Sequence, residues 1–152
     1  QTCALPILKS YNLYMQKYNK KSAFQYFGTS LKVPRQSWSA ISEDKKTVVI
    51  TIWKDQLKYI DGKPYWDTFN LPDNQHNRLW KDQFGNKERI SHLLYAKEHL
   101  NGLFRVIITV AKDIGAFPRE IEMCYPWVGI WLKIVDLNIE TGQCKAEFYK
   151  KD

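Results

Sequence analysis

The residues best suited to bind a ligand are tryptophans that alternate with cations in the first half of the chain. The tryptophans are Trp38, Trp53 and Trp66, and the cations beside them are Arg35, Lys45, Lys46, Lys54 and Lys58. Indole rings stack on nucleobases, each stacked base contributing about 1–3 kcal/mol, while Lys and Arg contact phosphates. The pattern therefore predicts a nucleic-acid-binding face, and one that could read a base. The alternative is that the first helix covers Trp38 and Trp53 within a two-sided core.

Motifs for catalysis or metal binding are not found. Of the three histidines, His76, His92 and His99, the last two share a predicted helix face without an HExxH motif, and Cys124 with Cys144 would supply two thiols where a zinc site needs four ligands. Neither a nucleophile elbow nor a glycine-rich phosphate loop is present. We therefore identify no catalytic residue, metal ligand or cofactor, and we predict a binding protein rather than an enzyme.

Two other classes of function remain open at this stage. A small metal-dependent nuclease or hydrolase would need clustered carboxylates and a lysine. The candidates for it are Glu43-Asp44-Lys45, which a hairpin turn explains better, and a weaker set on the last hairpin, Asp136, Glu140, Lys145 and Glu147. A protein-interaction domain would instead use exposed aromatic rings as a patch that dominates the binding energy.

The positive charge lies in the first part of the chain. Residues 1–60 contain ten Lys and Arg against three acids, a net charge of +7, whereas residues 61–152 contain thirteen of each. A one-sided basic field attracts polyanions, nucleic acid above all. The charge therefore supports DNA or RNA as the partner, with binding that is micromolar or tighter and that weakens steeply with salt. A solvated surface that keeps the protein soluble is the alternative explanation.

Length and composition indicate one domain in a reducing compartment. A chain of 152 residues has the size of a single domain, and six Trp, nine Tyr and seven Phe exceed what one small core usually needs. Three cysteines without a CxxC spacing favour reduced thiols in the cytoplasm, and no apolar run is long enough to cross a membrane. Residues 1–7 match the translation of a common sequencing-adapter oligonucleotide. We interpret them as an artefact and assign the domain to residues 8–152.

The first half of the chain predicts a helix followed by two hairpins. Residues 8–27 have helical periodicity, and residues 37–42 and 47–54 alternate as two strands around a charged turn. If Ser42 pairs with Thr47, Trp38 lies opposite Thr51 on the face that also carries Trp53. Asp61-Gly62 predicts a second tight turn, after which Pro64 predicts an edge strand.

The second half predicts two helical pieces, a central strand and a last hairpin. The helical pieces cover 76–84 and 87–100, with Gly85 interrupting and Asn86 capping the second piece. Residues 103–112 are apolar on both faces, which is typical of a central strand, and 128–137 with 143–149 form the hairpin. This order indicates an α+β fold with a mixed or antiparallel sheet curled into a partial barrel.

A small curled sheet that carries tryptophans and has flanking helices resembles the PUA-like group of domains. The EVE, YTH and SRA members of that group hold modified or flipped bases in aromatic pockets. None of their diagnostic motifs occurs in this chain, so the resemblance is one of architecture. It implies a base-binding pocket and assigns no residue to it.

Overall fold

A computed structural model describes residues 18–71, 82–116 and 118–151. Within them lie two α-helices and eight strands, and short 3-10 turns cover Lys54–Gln56 and Thr68–Asn70. The helices are α1 (Lys20–Tyr26) and α2 (Phe84–His99). The strands are β1 (Ser39–Ile41), β2 (Val48–Trp53), β3 (Leu57–Ile60), β4 (Lys63–Asp67), β5 (Leu103–Ala111), β6 (Ile121–Pro126), β7 (Trp131–Leu137) and β8 (Cys144–Tyr149). The α+β class expected from the sequence is confirmed for these residues.

The eight strands form one mixed sheet that does not close into a barrel. Its order is β1-β2-β5-β7-β8-β4-β3, and β6 pairs with β5 outside this path. Strand β5 pairs in parallel with β2 along one edge, while its other edge pairs first with β7 and then with β6. The prediction of a central strand at 103–112 is therefore confirmed, and its apolar residues are buried on both faces.

Two apolar clusters cover the two faces of β2 and β5. The larger one includes Ile50, Ile52 and Phe104 and packs against Leu93 of α2. The smaller one joins Val49 to Phe24 of α1. Because successive side chains of a strand point to opposite faces, the alternation within β2 produces both clusters. Helix α1 thus covers the part of one sheet face that carries Val49.

The hairpin registers follow the sequence pattern. Ser39 pairs with Ile50, and the Ser42 amide donates to the Thr47 carbonyl oxygen over 2.9 Å, which is the predicted alignment. The second tight turn is also confirmed, because Asp61 and Gly62 both have positive φ angles. Pro64 is nevertheless not on an edge strand, since β4 pairs with both β3 and β8. It pairs with Tyr59 one residue before the ladder to β8 begins, so its missing N–H breaks no hydrogen bond there.

The helix predicted over 8–27 is interrupted at Asn19, and the start predicted at residue 87 is wrong, whereas the starts predicted at residues 8 and 76 lie outside the described residues. Helix α1 begins at Lys20, because the Asn19 side chain accepts the Ser22 amide over 2.8 Å in a reciprocal capping box and its backbone is extended. The rest of that predicted helix, over 8–17, and residues 1–7 lie outside the described residues. Helix α2 includes Gly85 and Asn86, which neither interrupt nor cap it, and most of the predicted piece over 76–84 also lies outside the described residues.

In the parts of the chain that the structure describes, no helix has the length and apolar character needed to cross a bilayer.

Candidate functional site

A cavity of about 280 Å³ lies where the ends of β2 and β5 meet the start of α2 and the start of β6. This volume is just below the range of about 300–1,000 Å³ that is usual for sites that hold small ligands. Three indoles and four cations line it, together with hydroxyl, amide and apolar side chains. These residues are Trp38, Trp53, Trp66, Lys20, Arg35, Arg89, Arg119, Thr51, Thr109, Gln56, Gln83, Pro118 and Ile121. No Asp or Glu of the described residues lines it, so the wall suits an anion that also has an aromatic part.

The first hairpin positions two of the indoles. The Trp38 carbonyl oxygen accepts hydrogen bonds from the Thr51 amide and the Thr51 hydroxyl, both 2.9 Å long. Trp38 therefore lies opposite Thr51, and Trp53 follows two residues later on the same face. Both indoles are half-buried, and neither belongs to the cluster under α1. The helix thus covers Val49, while the cavity occupies the other end of this face.

Arg89 is the buried cation of the cavity. Its guanidinium carbon lies 4.9 Å from the centroid of the Trp38 ring and 5.5 Å from that of Trp66, which are cation–π distances. Asn86 holds it in place: Nη2 of Arg89 donates to Asn86 Oδ1 over 2.9 Å, and Asn86 Nδ2 donates to the Thr141 carbonyl oxygen over 3.0 Å. Burial lowers the pKa of Arg89 to about 10, so the side chain stays charged at neutral pH.

Gly85 allows α2 to approach the hairpin. A Cβ atom at this position would overlap the Trp38 indole and the Gln36 carbonyl oxygen. The backbone of Gly85 has no positive φ, so close approach rather than turn geometry requires a glycine here. Since Arg89 lies one helical turn further along α2, the same contact places the guanidinium beside the Trp38 ring.

Arg119 contacts Trp53, the second indole of the first hairpin. Its guanidinium carbon lies 5.2 Å from the Trp53 ring centroid, and its Nη1 and Nη2 bind the two Asp55 carboxylate oxygens over 2.7 and 2.9 Å. A third hydrogen bond, 2.9 Å long, joins Nη2 to the Ile114 carbonyl oxygen. Such bidentate geometry fixes the plane of the guanidinium, so Arg119 is a rigid part of the cavity wall.

The cations differ in burial. Arg89 is 4% exposed, Lys20 and Arg119 are half-buried, and Arg35 is exposed. The Lys20 ammonium donates to the Pro34 carbonyl oxygen over 3.1 Å, and burial lowers its pKa despite opposing effects of Cys124 and Glu88. The cavity thus has a deep end at Arg89 and an open end at Arg35.

Four of the eight residues predicted for the site line the cavity, and four do not. Trp38, Trp53, Trp66 and Arg35 line it. Lys45 and Lys46 are exposed in the turn between β1 and β2, which is six residues, or about 20 Å along the strand, from the end that carries Trp53. Lys54 is exposed in the 3-10 turn that follows β2, and Lys58 is exposed on β3. Their contacts with phosphate stay predictions.

Sequence reasoning missed three cations of the cavity, namely Lys20, Arg89 and Arg119. A signal for Arg89 was available, because it precedes Leu93 by four residues and Ala96 by seven and so shares the buried face of α2. An arginine within an apolar stripe is a strong indication of a buried functional or structural charge. Arg119 has no such signal, since it follows an irregular segment.

One arrangement outside the cavity has residue types that occur in catalytic sites. Ser39 Oγ and His92 Nδ1 lie 2.6 Å apart, but Ser39 is fully buried, so we interpret the pair as a link between β1 and α2. Burial lowers the pKa of His92, and Lys32 lowers it further while Glu88 opposes the shift. Among the described residues, no three His, Cys, Asp or Glu side chains form a group that could hold a metal.

Comparison with known proteins gives no further guidance, because no family model, curated protein or solved structure matches this chain.

Proposed function

We propose that this protein binds nucleic acid by taking one unpaired nucleotide into the tryptophan-lined cavity. One observation supports this above all: three indoles and four cations line a single cavity that none of the described acids lines, with Asp55 paired to one of the four cations, Arg119. A nucleotide combines a flat aromatic base with a phosphate, and these are the two chemistries that this wall favours. The cavity volume of about 280 Å³ is suited to one such unit rather than to a duplex.

The burial of the cations sets the orientation of the nucleotide. Transfer of a phosphate into a desolvated site costs far more than transfer of a neutral base. The base therefore enters towards Arg89, and the phosphates stay near Arg35, which is exposed.

Base binding in an aromatic pocket is also how PUA-like domains act, and we propose that relationship for this fold. A cytoplasmic location belongs to the same proposal, since Cys124 and Cys144 are free thiols.

Fluorescence anisotropy with labelled oligonucleotides tests the function. Single-stranded DNA, single-stranded RNA, duplex DNA and methylated duplex DNA are titrated with protein at low salt. We expect dissociation constants in the micromolar range or below for at least one single strand. Phosphate contacts by Lys20, Arg35 and Arg119, the three cations outside the deep end, predict a slope of about −2 in a plot of log K against log salt concentration. Absence of binding at tens of micromolar protein for all four ligands would refute the proposal.

Two substitutions locate the binding. Trp53→Ala removes a stacking ring from the cavity and is expected to weaken binding by about 5- to 150-fold, which corresponds to 1–3 kcal/mol per stacked base. Trp131→Ala is the matched control, because this half-buried indole contacts Arg105 and Lys151 outside the cavity. Equal losses for the two variants would place the nucleic acid elsewhere.

A further inference from the structure

The cavity wall carries more positive charge than one phosphodiester balances. Four cations line the cavity, and the Asp55 carboxylate pairs with one of them, Arg119. Lys20 donates to the neutral carbonyl oxygen of Pro34, and Glu88 acts on it electrostatically. A nucleotide within a strand adds a single negative charge to that strand. The wall therefore suits a phosphate group of higher charge.

Two of the cations lie together at the open end. The Lys20 ammonium is 3.1 Å from the Pro34 carbonyl oxygen, and Arg35 is the next residue in the chain. Arg35 is exposed, Lys20 is half-buried and the Arg119 side chain is 14% exposed, so all three keep accessible surface. Burial lowers the pKa of Lys20 because desolvation destabilises its charged form, and a nearby anion opposes that effect. The open end therefore favours one group that carries two negative charges.

We infer that the cavity binds a terminal nucleotide whose phosphate is a monoester. This inference rests on the proposed function and specifies which part of a strand enters the cavity. A phosphate monoester carries a charge of about −1.5 to −2 at neutral pH and three acceptor oxygens. Hydrogen bonds from Lys and Arg to such oxygens are about twice as strong as those between neutral groups. The same chemistry occurs at a phosphorylated strand end and in a free nucleoside monophosphate.

The shape of the cavity also favours a terminal nucleotide. Its deep end is closed, since Trp66, Thr109 and Arg89 are all buried. A nucleotide within a strand must pass two backbone connections through the open end, which reverses the direction of the strand there. A terminal nucleotide has only one such connection. A strand end therefore enters with less distortion of the backbone.

Strands that differ only at their ends test the inference on the wild-type protein. One oligothymidylate is prepared with a 5′-phosphate, with a 3′-phosphate, with two hydroxyl ends, and as a closed circle without ends. Competition anisotropy against an internally labelled strand compares them. We expect one phosphorylated strand to bind about tenfold tighter than the hydroxyl-ended strand, because the monoester adds a charge-assisted contact, and we expect the circle to bind most weakly.

The pH dependence of this advantage identifies the monoester as its cause. The second pKa of a phosphate monoester is about 6, whereas a phosphodiester does not titrate in this range. The ratio of the two affinities should therefore shrink when the pH is lowered from 7.5 to 5.5. Titration of the protein itself, for example at His92, affects both strands and largely cancels in the ratio.

The outcomes separate this inference from the function on which it rests. Equal affinity for the circle, the hydroxyl-ended strand and both phosphorylated strands would overturn the inference and leave nucleic-acid binding in place. An advantage that does not change with pH would also overturn it. If thymidine monophosphate competes as well as the phosphorylated strand, the monoester is supported and the free nucleotide is its source. Failure of all these ligands to bind would refute the proposed function itself.

Substitutions at the open end provide an independent arm. Lys20→Gln and Arg35→Gln should each reduce the affinity ratio of phosphorylated to hydroxyl-ended strand towards one. Lys21→Gln is the matched control, because it removes the same charge from the neighbouring position of α1, where the side chain is exposed and outside the cavity. Circular dichroism checks that each variant folds. Folded Lys20→Gln and Arg35→Gln proteins that both keep the full ratio would contradict the inference.

Discussion

Replacement of Gly85 with alanine would place a methyl group where α2 meets the first hairpin. The added Cβ atom would overlap the Trp38 indole and the Gln36 carbonyl oxygen, and the latter cannot rotate away because it belongs to the backbone. Either the N-terminal turn of α2 or the Trp38 ring must therefore move. Because Arg89 contacts Trp38 from the same helix, the change would reach the deep end of the cavity.

Two opposing effects decide how far Gly85→Ala lowers the free energy of unfolding. Alanine is favoured over glycine in a helix by up to about 1 kcal/mol, and less in the first turn. Overpacking of a close contact costs about 1–3 kcal/mol. The net destabilisation is then about 1–2 kcal/mol. For a domain of this length, the corresponding fall in Tm is about 2–8 °C.

Thermal unfolding followed by circular dichroism measures the effect, and anisotropy with the preferred single strand measures its consequence for binding. Gly115→Ala is the control, because the nearest atom to its added Cβ is Asp113 Oδ1 at 3.5 Å and its φ is not positive. We expect that control to change Tm by no more than about 1 °C. A Gly85→Ala protein with unchanged or higher Tm and unchanged binding would refute the close-approach explanation of this glycine.

Three further predictions concern groups around the sheet. Burial keeps the pKa of His92 below its usual value, so in acid the unfolded chain binds more protons than the folded protein, and stability should fall as the pH drops below about 6.5. A plot of Tm against pH should therefore be flatter for His92→Gln than for the wild type. Burial raises the pKa of the Cys124 thiol and raises the pKa of Cys144 to about 12, so peptide mass spectrometry should find both unlabelled by a thiol reagent at pH 8 in the native protein and labelled in denaturant. Gly142 has a positive φ and lies against the Asn86 side chain, so Gly142→Ala would strain the backbone and make the added methyl group overlap Asn86. Chemical denaturation should show that the free energy of unfolding falls by about 2 kcal/mol or more; stability equal to the wild type would contradict that packing.

Short-range pattern was sufficient for the hairpins and the central strand. Alternation with period two and the charged turn at 43–46 determine which residues of β1 and β2 are opposite each other, and so place Trp38 and Trp53 on one face. The apolar residues on both faces of β5 likewise indicate a strand with neighbours on each side. The helix boundaries at Asn19 and Gly85 were missed because side-chain caps and close contacts decide them.

The sequence by itself determined the α+β class, the hairpin register and the presence of a basic, tryptophan-bearing region. Tertiary structure alone decided which of those residues meet. Trp66 comes to the cavity on β4, which pairs with β8 from the far end of the chain, and Arg89 comes on α2. The turn that carries Lys45 and Lys46 instead lies at the other end of the hairpin. Local patterns specify the face of an element, whereas packing between elements distant in the chain specifies which faces enclose a site.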